Sequence, residues 1–95
     1  MIAVHPGRIL KRELAARDLS ANRLALSLRL PSGRITDILN GKRGISPDTA
    51  LRLARFFGNS ARFWLNLQTA FELAVAEKET GPRIMEEVLP SNAAA

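Results

Sequence analysis

Between Ser20 and Leu39 two short runs of helical apolar spacing stand only a few residues apart. Leu24, Ala25 and Leu28 form the inner stripe of the first run, and Ile35, Ile38 and Leu39 that of the second. Ser20 is placed to cap the first helix, because its hydroxyl can accept an orphan N–H of the opening turn. Pro31 and Ser32 open the second helix, and Asn40-Gly41 closes it. Two helices joined so closely must pack at once against each other. That needs a small residue where they cross, supplied by Ala25, and apolar residues to close the wedge. Leu24, Leu28, Leu30, Ile35 and Ile38 do so. The turn usually begins with glycine, since the backbone there takes a positive φ. Arg29 stands at that place, at a cost of roughly 1 kcal/mol. The pattern is that of a helix-turn-helix unit.

The rest of the chain supplies three more helices. Pro6 suits a first helical position, and Ile9, Leu10 and Leu14 continue with helical spacing to about Arg17. Ser46-Pro47-Asp48 opens a fourth helix, with Ala50, Leu53, Ala54 and Phe57 facing inward and Gly58 as its stop. Ser60 caps a fifth, expected to run to about Lys78 with a stripe of Trp64, Leu67, Phe71, Ala74 and Val75. Phe63, Leu65, Ala70 and Leu73 flank that stripe, so this helix needs a second surface to cover it. A second copy of the chain would meet Leu65, Leu73 and Ala76, with Phe71 and Val75 at the boundary. Gly81-Pro82 is expected to break the helix. Ile84, Met85, Val88 and Leu89 would then form a short strand or a partner-binding segment, and Ser91–Ala95 a disordered end. The chain therefore reads as all-α: residues 1–80 a helix-turn-helix domain with a dimerising last helix, and residues 81–95 a flexible tail.

Charge narrows the choice of partner. Residues 1–62 carry twelve Lys/Arg against four Asp/Glu, a net +8, whereas residues 63–95 carry a net −3. Basic charge gathered in one part of a small domain is the footprint of a polyanion binder, although a solvated basic surface would look the same. The outward face of the third helix holds Ser32, Gly33, Arg34, Thr36, Asp37 and Asn40. Such a face lies in the DNA major groove in helix-turn-helix proteins. Arg34 could span guanine O6 and N7, and the Thr36 methyl could meet a thymine methyl. Gly33 costs about 1 kcal/mol against alanine within a helix, less in a first turn, and would let the backbone approach DNA closely. Asp37 would repel phosphate, and is expected on cytosine N4 or beside a cation. Ser20 and Asn22, aided by the helix dipole, and Lys42 and Arg43 suit phosphates. The same packing also serves a tight helical hairpin that binds nothing.

Other chemistry is thin. There is no cysteine, which excludes disulfides and thiolate metal sites and fits a reducing compartment. His5, the lone histidine, is a poor metal ligand, and no nucleophile–base set or phosphate loop appears. Glu86-Glu87 reads as a solvated run. No cofactor and no catalysis are expected. No apolar run approaches the roughly 18–20 residues of a membrane span, and no secretory leader is apparent, so a cytoplasmic protein without membrane contact is expected.

Longer stretches carry a resemblance. His5-Pro6-Gly7-Arg8-Ile9-Leu10, Ser20-Ala21-Asn22-Arg23-Leu24-Ala25, and the run from Arg34 through Leu39-Asn40-Gly41-Lys42-Arg43 to Ser46 are similar to the HigA antitoxin family. So are Asp48 through Gly58 and the characteristic Phe63-Trp64-Leu65-Asn66-Leu67-Gln68. The resemblance spans about Val4–Glu79. It implies a λ-repressor-like, five-helix domain of the XRE class. Such a protein would bind a HigB/RelE-like mRNA-cleaving toxin and repress its own operon as a homodimer on palindromic operator DNA. Arg29 and Gly33 depart from the family pattern, the latter suggesting a different operator sequence. A solitary regulator without a toxin, and a toxin-masking module with weak DNA binding, are the competing readings. The neighbouring open reading frame would separate them.

Overall fold

A computed structural model describes residues 3–91. Five helices follow one another: α1 (Pro6–Ala16), α2 (Ala21–Leu28), α3 (Ser32–Leu39), α4 (Pro47–Phe57) and α5 (Ala61–Glu87). No strand occurs among the described residues.

The helix starts follow sequence chemistry. Ser20, Ser46 and Ser60 each accept a backbone N–H three residues on, from Arg23, Thr49 and Phe63. Each satisfies one of the orphan donors of a first turn. α1 is capped differently: the His5 Nδ1 accepts the Gly7 N–H at 2.9 Å. No spacing or composition pointed to this role. Bonding to Nδ1 fixes the neutral tautomer with its proton on Nε2.

Three helix ends close alike, by a residue of positive φ and a pair of backed-up hydrogen bonds. Asp18 (φ 52°), Arg29 (φ 59°) and Gly41 (φ 75°) occupy the left-handed positions. Leu19 N–H reaches Leu14 O, Leu30 N–H reaches Ala25 O, and Lys42 N–H reaches Asp37 O, all at 2.8–2.9 Å. Only one of the three is glycine, so two of these turns hold a side chain against its backbone preference.

The core lies where α1 to α4 meet the first turns of α5. Leu10, Leu24, Ile35, Ile38, Leu53 and Trp64 are fully enclosed, each contributing roughly 1.5–3 kcal/mol through burial. Ala25 is also enclosed at the α2–α3 crossing, as the wedge requires. α1 reaches α3 through Gly7, where any Cβ would collide with the Ile38 carbonyl. Trp64 donates its indole N–H to Asn59 Oδ1 at 2.9 Å, which satisfies the one polar atom of the largest core residue.

The C-terminal expectation is corrected. α5 does not end near Lys78; it runs through Gly81-Pro82 to Glu87, so a boundary at residue 80 would cut a continuous helix. Ile84 and Met85 are helical, and neither they nor Val88 and Leu89 form a strand. One penalty of a helical proline is the clash of its Cδ with the Cβ of the residue before it, and Gly81 has none. What remains is the crowding of the ring against the Lys78 carbonyl and a missing N–H, which leaves that carbonyl without its usual donor. The helix absorbs this and closes with Val88 N–H on Ile84 O at 2.8 Å. Of the expected disordered end, Ser91 is described, and residues 92–95 lie outside the described residues. At about 1.5 Å per residue α5 is some 40 Å long, and it accounts for the 54 × 22 × 22 Å outline.

Candidate nucleic-acid interface

The turn between α2 and α3 sets the angle at which α3 is presented. Arg29 adopts φ 59°, ψ 42°, the conformation expected of glycine at this place. α4 braces the turn from behind. Arg52 Nη1 donates to the Leu28 carbonyl at 2.9 Å, and its Nε donates to Asp48 Oδ2 at 2.9 Å. Leu28 O belongs to the last turn of α2, where carbonyls lack helical partners. Arg52 was legible only as one cation among twelve; no local pattern ties it to a carbonyl 24 residues earlier.

α3 turns its inner residues, Ile35 and Ile38, into the core, so its remaining faces are set by the helical period. Ser32, Gly33, Thr36 and Asn40 are exposed, with Ser32, Thr36 and Asn40 in one row at four-residue intervals. Nothing approaches the Cα of Gly33 from outside, so that stretch of backbone is open to close approach. The Thr36 hydroxyl donates to Ser32 O at 3.1 Å, which leaves its methyl and lone pairs to face outward. Arg34 and Asp37 are half-buried beside this row. The Arg34 Nε is buried and finds no acceptor among the described residues. A charged donor held so carries a desolvation cost that a new acceptor would relieve. The Asp37 carboxylate forms no ion pair among the described residues, whereas its backbone carbonyl accepts both Lys42 and Arg43 N–H, at 2.8 and 3.2 Å.

The basic residues flank this row. Lys42 and Arg43 are exposed in the loop after α3. The far end of that loop is held by α5: Gln68 Oε1 accepts the Ile45 N–H at 2.8 Å. On the other side, Ser20 uses its oxygen to cap α2 but keeps its O–H proton free to donate, and Asn22 is exposed two residues on.

The five residues assigned to a dimer seam separate into two groups. Leu65 packs partly against the core, Val75 is half-buried, and Phe71 sets its ring edge-to-face against His5 at 4.9 Å. Leu73 and Ala76 instead line a groove of about 630 Å³ together with Thr80, Pro82, Ile84 and Met85. Among the described residues no group of acids and histidine could hold a metal ion, and no helix is long and apolar enough to cross a membrane.

Comparison with known proteins adds to this geometry. A family model described as helix-turn-helix matches residues 10–64. Virulence-associated protein I of Dichelobacter nodosus is 50% identical over 80 residues, covering 83% of this chain and 74% of that protein. The structure of an addiction module antidote protein of a HigA family from Coxiella burnetii superimposes with a TM-score of 0.94 at 52% identity, covering 96% of this chain and all of that one. Pseudomonas aeruginosa antitoxin HigA, solved with the higBA promoter, gives a TM-score of 0.91 at 42% identity and covers 94% and 98% of the two chains.

Proposed function

The chain is a helix-turn-helix protein of the HigA antitoxin family, and from that membership we propose that it is an autorepressing antitoxin. It binds palindromic operator DNA as a homodimer and also binds a HigB/RelE-like toxin. It acts by binding, not by catalysis.

The observation that carries the DNA reading is the exposed row Ser32, Thr36 and Asn40 on a helix whose angle is fixed by the Arg29 turn and the Arg52 brace. α3 enters the major groove with this row and Gly33 against base edges. Arg34 swings outward to guanine, exchanging an unpaired Nε environment for two acceptors. Asp37 lies beside the row and takes a cytosine N4 donor. Ser20 and Asn22 hold one phosphate and Lys42 and Arg43 another, which fixes the register of the helix without reading sequence. In the dimer, Leu73 and Ala76 meet the other protomer along the α5 groove, with Leu65, Phe71 and Val75 at its edge.

The test is a titration of the protein with a duplex from its own promoter, at two salt concentrations. Binding to the palindrome should weaken steeply with salt. Arg34→Ala should weaken specific binding more than random binding, and Lys42→Ala should weaken both alike. Equal affinity for random duplex would refute base reading. Co-purification with the product of an adjacent small gene tests the toxin role.

A further inference from the structure

We propose that Gln68, in the third turn of α5, is a positioning residue for DNA binding. It sets the place of the Lys42–Arg43 loop without touching DNA. The inference rests on the operator-binding reading above and adds to it a residue that acts through another.

Ile45 is buried, and its N–H points into the protein between α3 and α4, where no backbone carbonyl receives it. Gln68 receives it, at 2.8 Å. The side-chain amide is held in one orientation by chemistry: the atom facing an N–H must be the oxygen. The nitrogen then donates to Glu72 Oε1 at 2.9 Å. Gly44 completes the fit. A Cβ there would lie within 2.7–2.8 Å of the Gln68 amide, so any larger residue at this position would push that amide aside.

The loop between α3 and α4 is thus clamped at both ends. At its start, Asp37 O holds the amides of Lys42 and Arg43. At its end, Gln68 holds Ile45. The two exposed cations are held at the first clamp, and the second fixes the chain two residues beyond them, so they have little backbone freedom of their own. Gln68 is polar and nine-tenths enclosed in a helix face otherwise given to Trp64 and Ala74. Packing alone would be served by leucine or methionine. An amide is required because the loop needs an acceptor at this point.

The test compares the parent chain with Gln68→Ala on the promoter duplex, as a function of salt, with thermal melting and Ile45 amide exchange alongside. Gln68→Ala should stay folded and lose Ile45 protection. It should bind about tenfold more weakly, and its salt slope should fall by about one for each phosphate that the displaced loop no longer neutralises. Lys42→Ala should then cost much less in the Gln68→Ala background than in the parent, because both remove the same interaction. Exchanging the partners, Gln68→Glu with Glu72→Gln, keeps an acceptor for Ile45 and a donor to it, and should restore affinity and slope. Gly44→Ala displaces Gln68 from the other side and should reproduce the Gln68→Ala slope; it carries the test if Gln68→Ala does not fold. A folded Gln68→Ala protein with parental affinity and slope would overturn the proposal, as would full additivity with Lys42→Ala. If the parent binds no promoter duplex, the operator reading itself fails and this inference falls with it.

Discussion

The two ends of the molecule are built on different terms. From α1 to the first half of α5, every helix is tied to another by an enclosed side chain or a cross-brace such as Arg52 to Leu28 O. Beyond Ala74, α5 leaves the body and is held by its own hydrogen bonds, with Ile84 and Met85 exposed. The first region is basic and the second acidic. A surface that must present a row of side chains at a fixed angle is embedded in a rigid body. In the dimer proposed above, the surface for association is carried on a single helix that a second copy completes. A lone helical segment of this length is marginal in water without such a partner.

The largest expected effect falls on the body. Trp64→Ala removes the largest enclosed side chain and should cost about 3–5 kcal/mol, enough to unfold a domain of this size. Chemical denaturation reads this directly. A loss near ~1 kcal/mol would show that the body is packed more loosely than its enclosed core implies. The next effect belongs to the far helix alone. Pro82→Ala restores the missing bond to Lys78 O and should favour the helix locally by up to about 3 kcal/mol. Amide exchange across residues 79–88 should slow several-fold, with the melting of the body unchanged. A shift in both would mean that the two regions unfold as one.

Smaller effects sharpen the picture of the reading helix. Arg52→Ala removes the brace on Leu28 O and the pair with Asp48. Because the side chain is partly exposed, it should cost about 1 kcal/mol of stability, and promoter affinity should fall along with it. If stability falls and affinity does not, the brace serves folding only. Arg29→Gly relieves the left-handed strain and should raise stability by up to about 1 kcal/mol, seen as a small rise in melting temperature. A fall would mean that the Arg29 side chain makes up for its own strain.

How far the sequence revealed this depends on the range of each interaction. Ala25, the wedge around it, the Ser20 and Ser46 caps and the row on α3 follow from spacing within one or two turns, so periodicity and capping chemistry exposed them. Arg29 was legible as a departure because the motif leaves one place for a positive φ. Pro82 misled, because one of the penalties behind its rule as a helix breaker falls on the Cβ of the preceding residue, and Gly81 lacks one. Gln68 and Arg52 were hidden for another reason. Each serves a backbone group more than twenty residues away, on another helix or loop, and no local pattern records such a partner. Gly44 and Gln68 would have been readable only as a pair: a polar residue in an apolar stripe and a glycine in a loop with no turn that demands it. The His5 cap was invisible because histidine is rarely chosen for that task.

The central claim is that α3 reads base sequence while the flanking residues hold phosphate. The most direct measurement is binding of the intact chain to two duplexes of equal length and charge at near-physiological salt. One carries the promoter palindrome; the other has only the base pairs facing α3 permuted. Tighter binding to the palindrome by about a thousandfold or more is expected. Equal affinity for the two duplexes would mean that this surface recognises DNA by charge alone, and would contradict the claim.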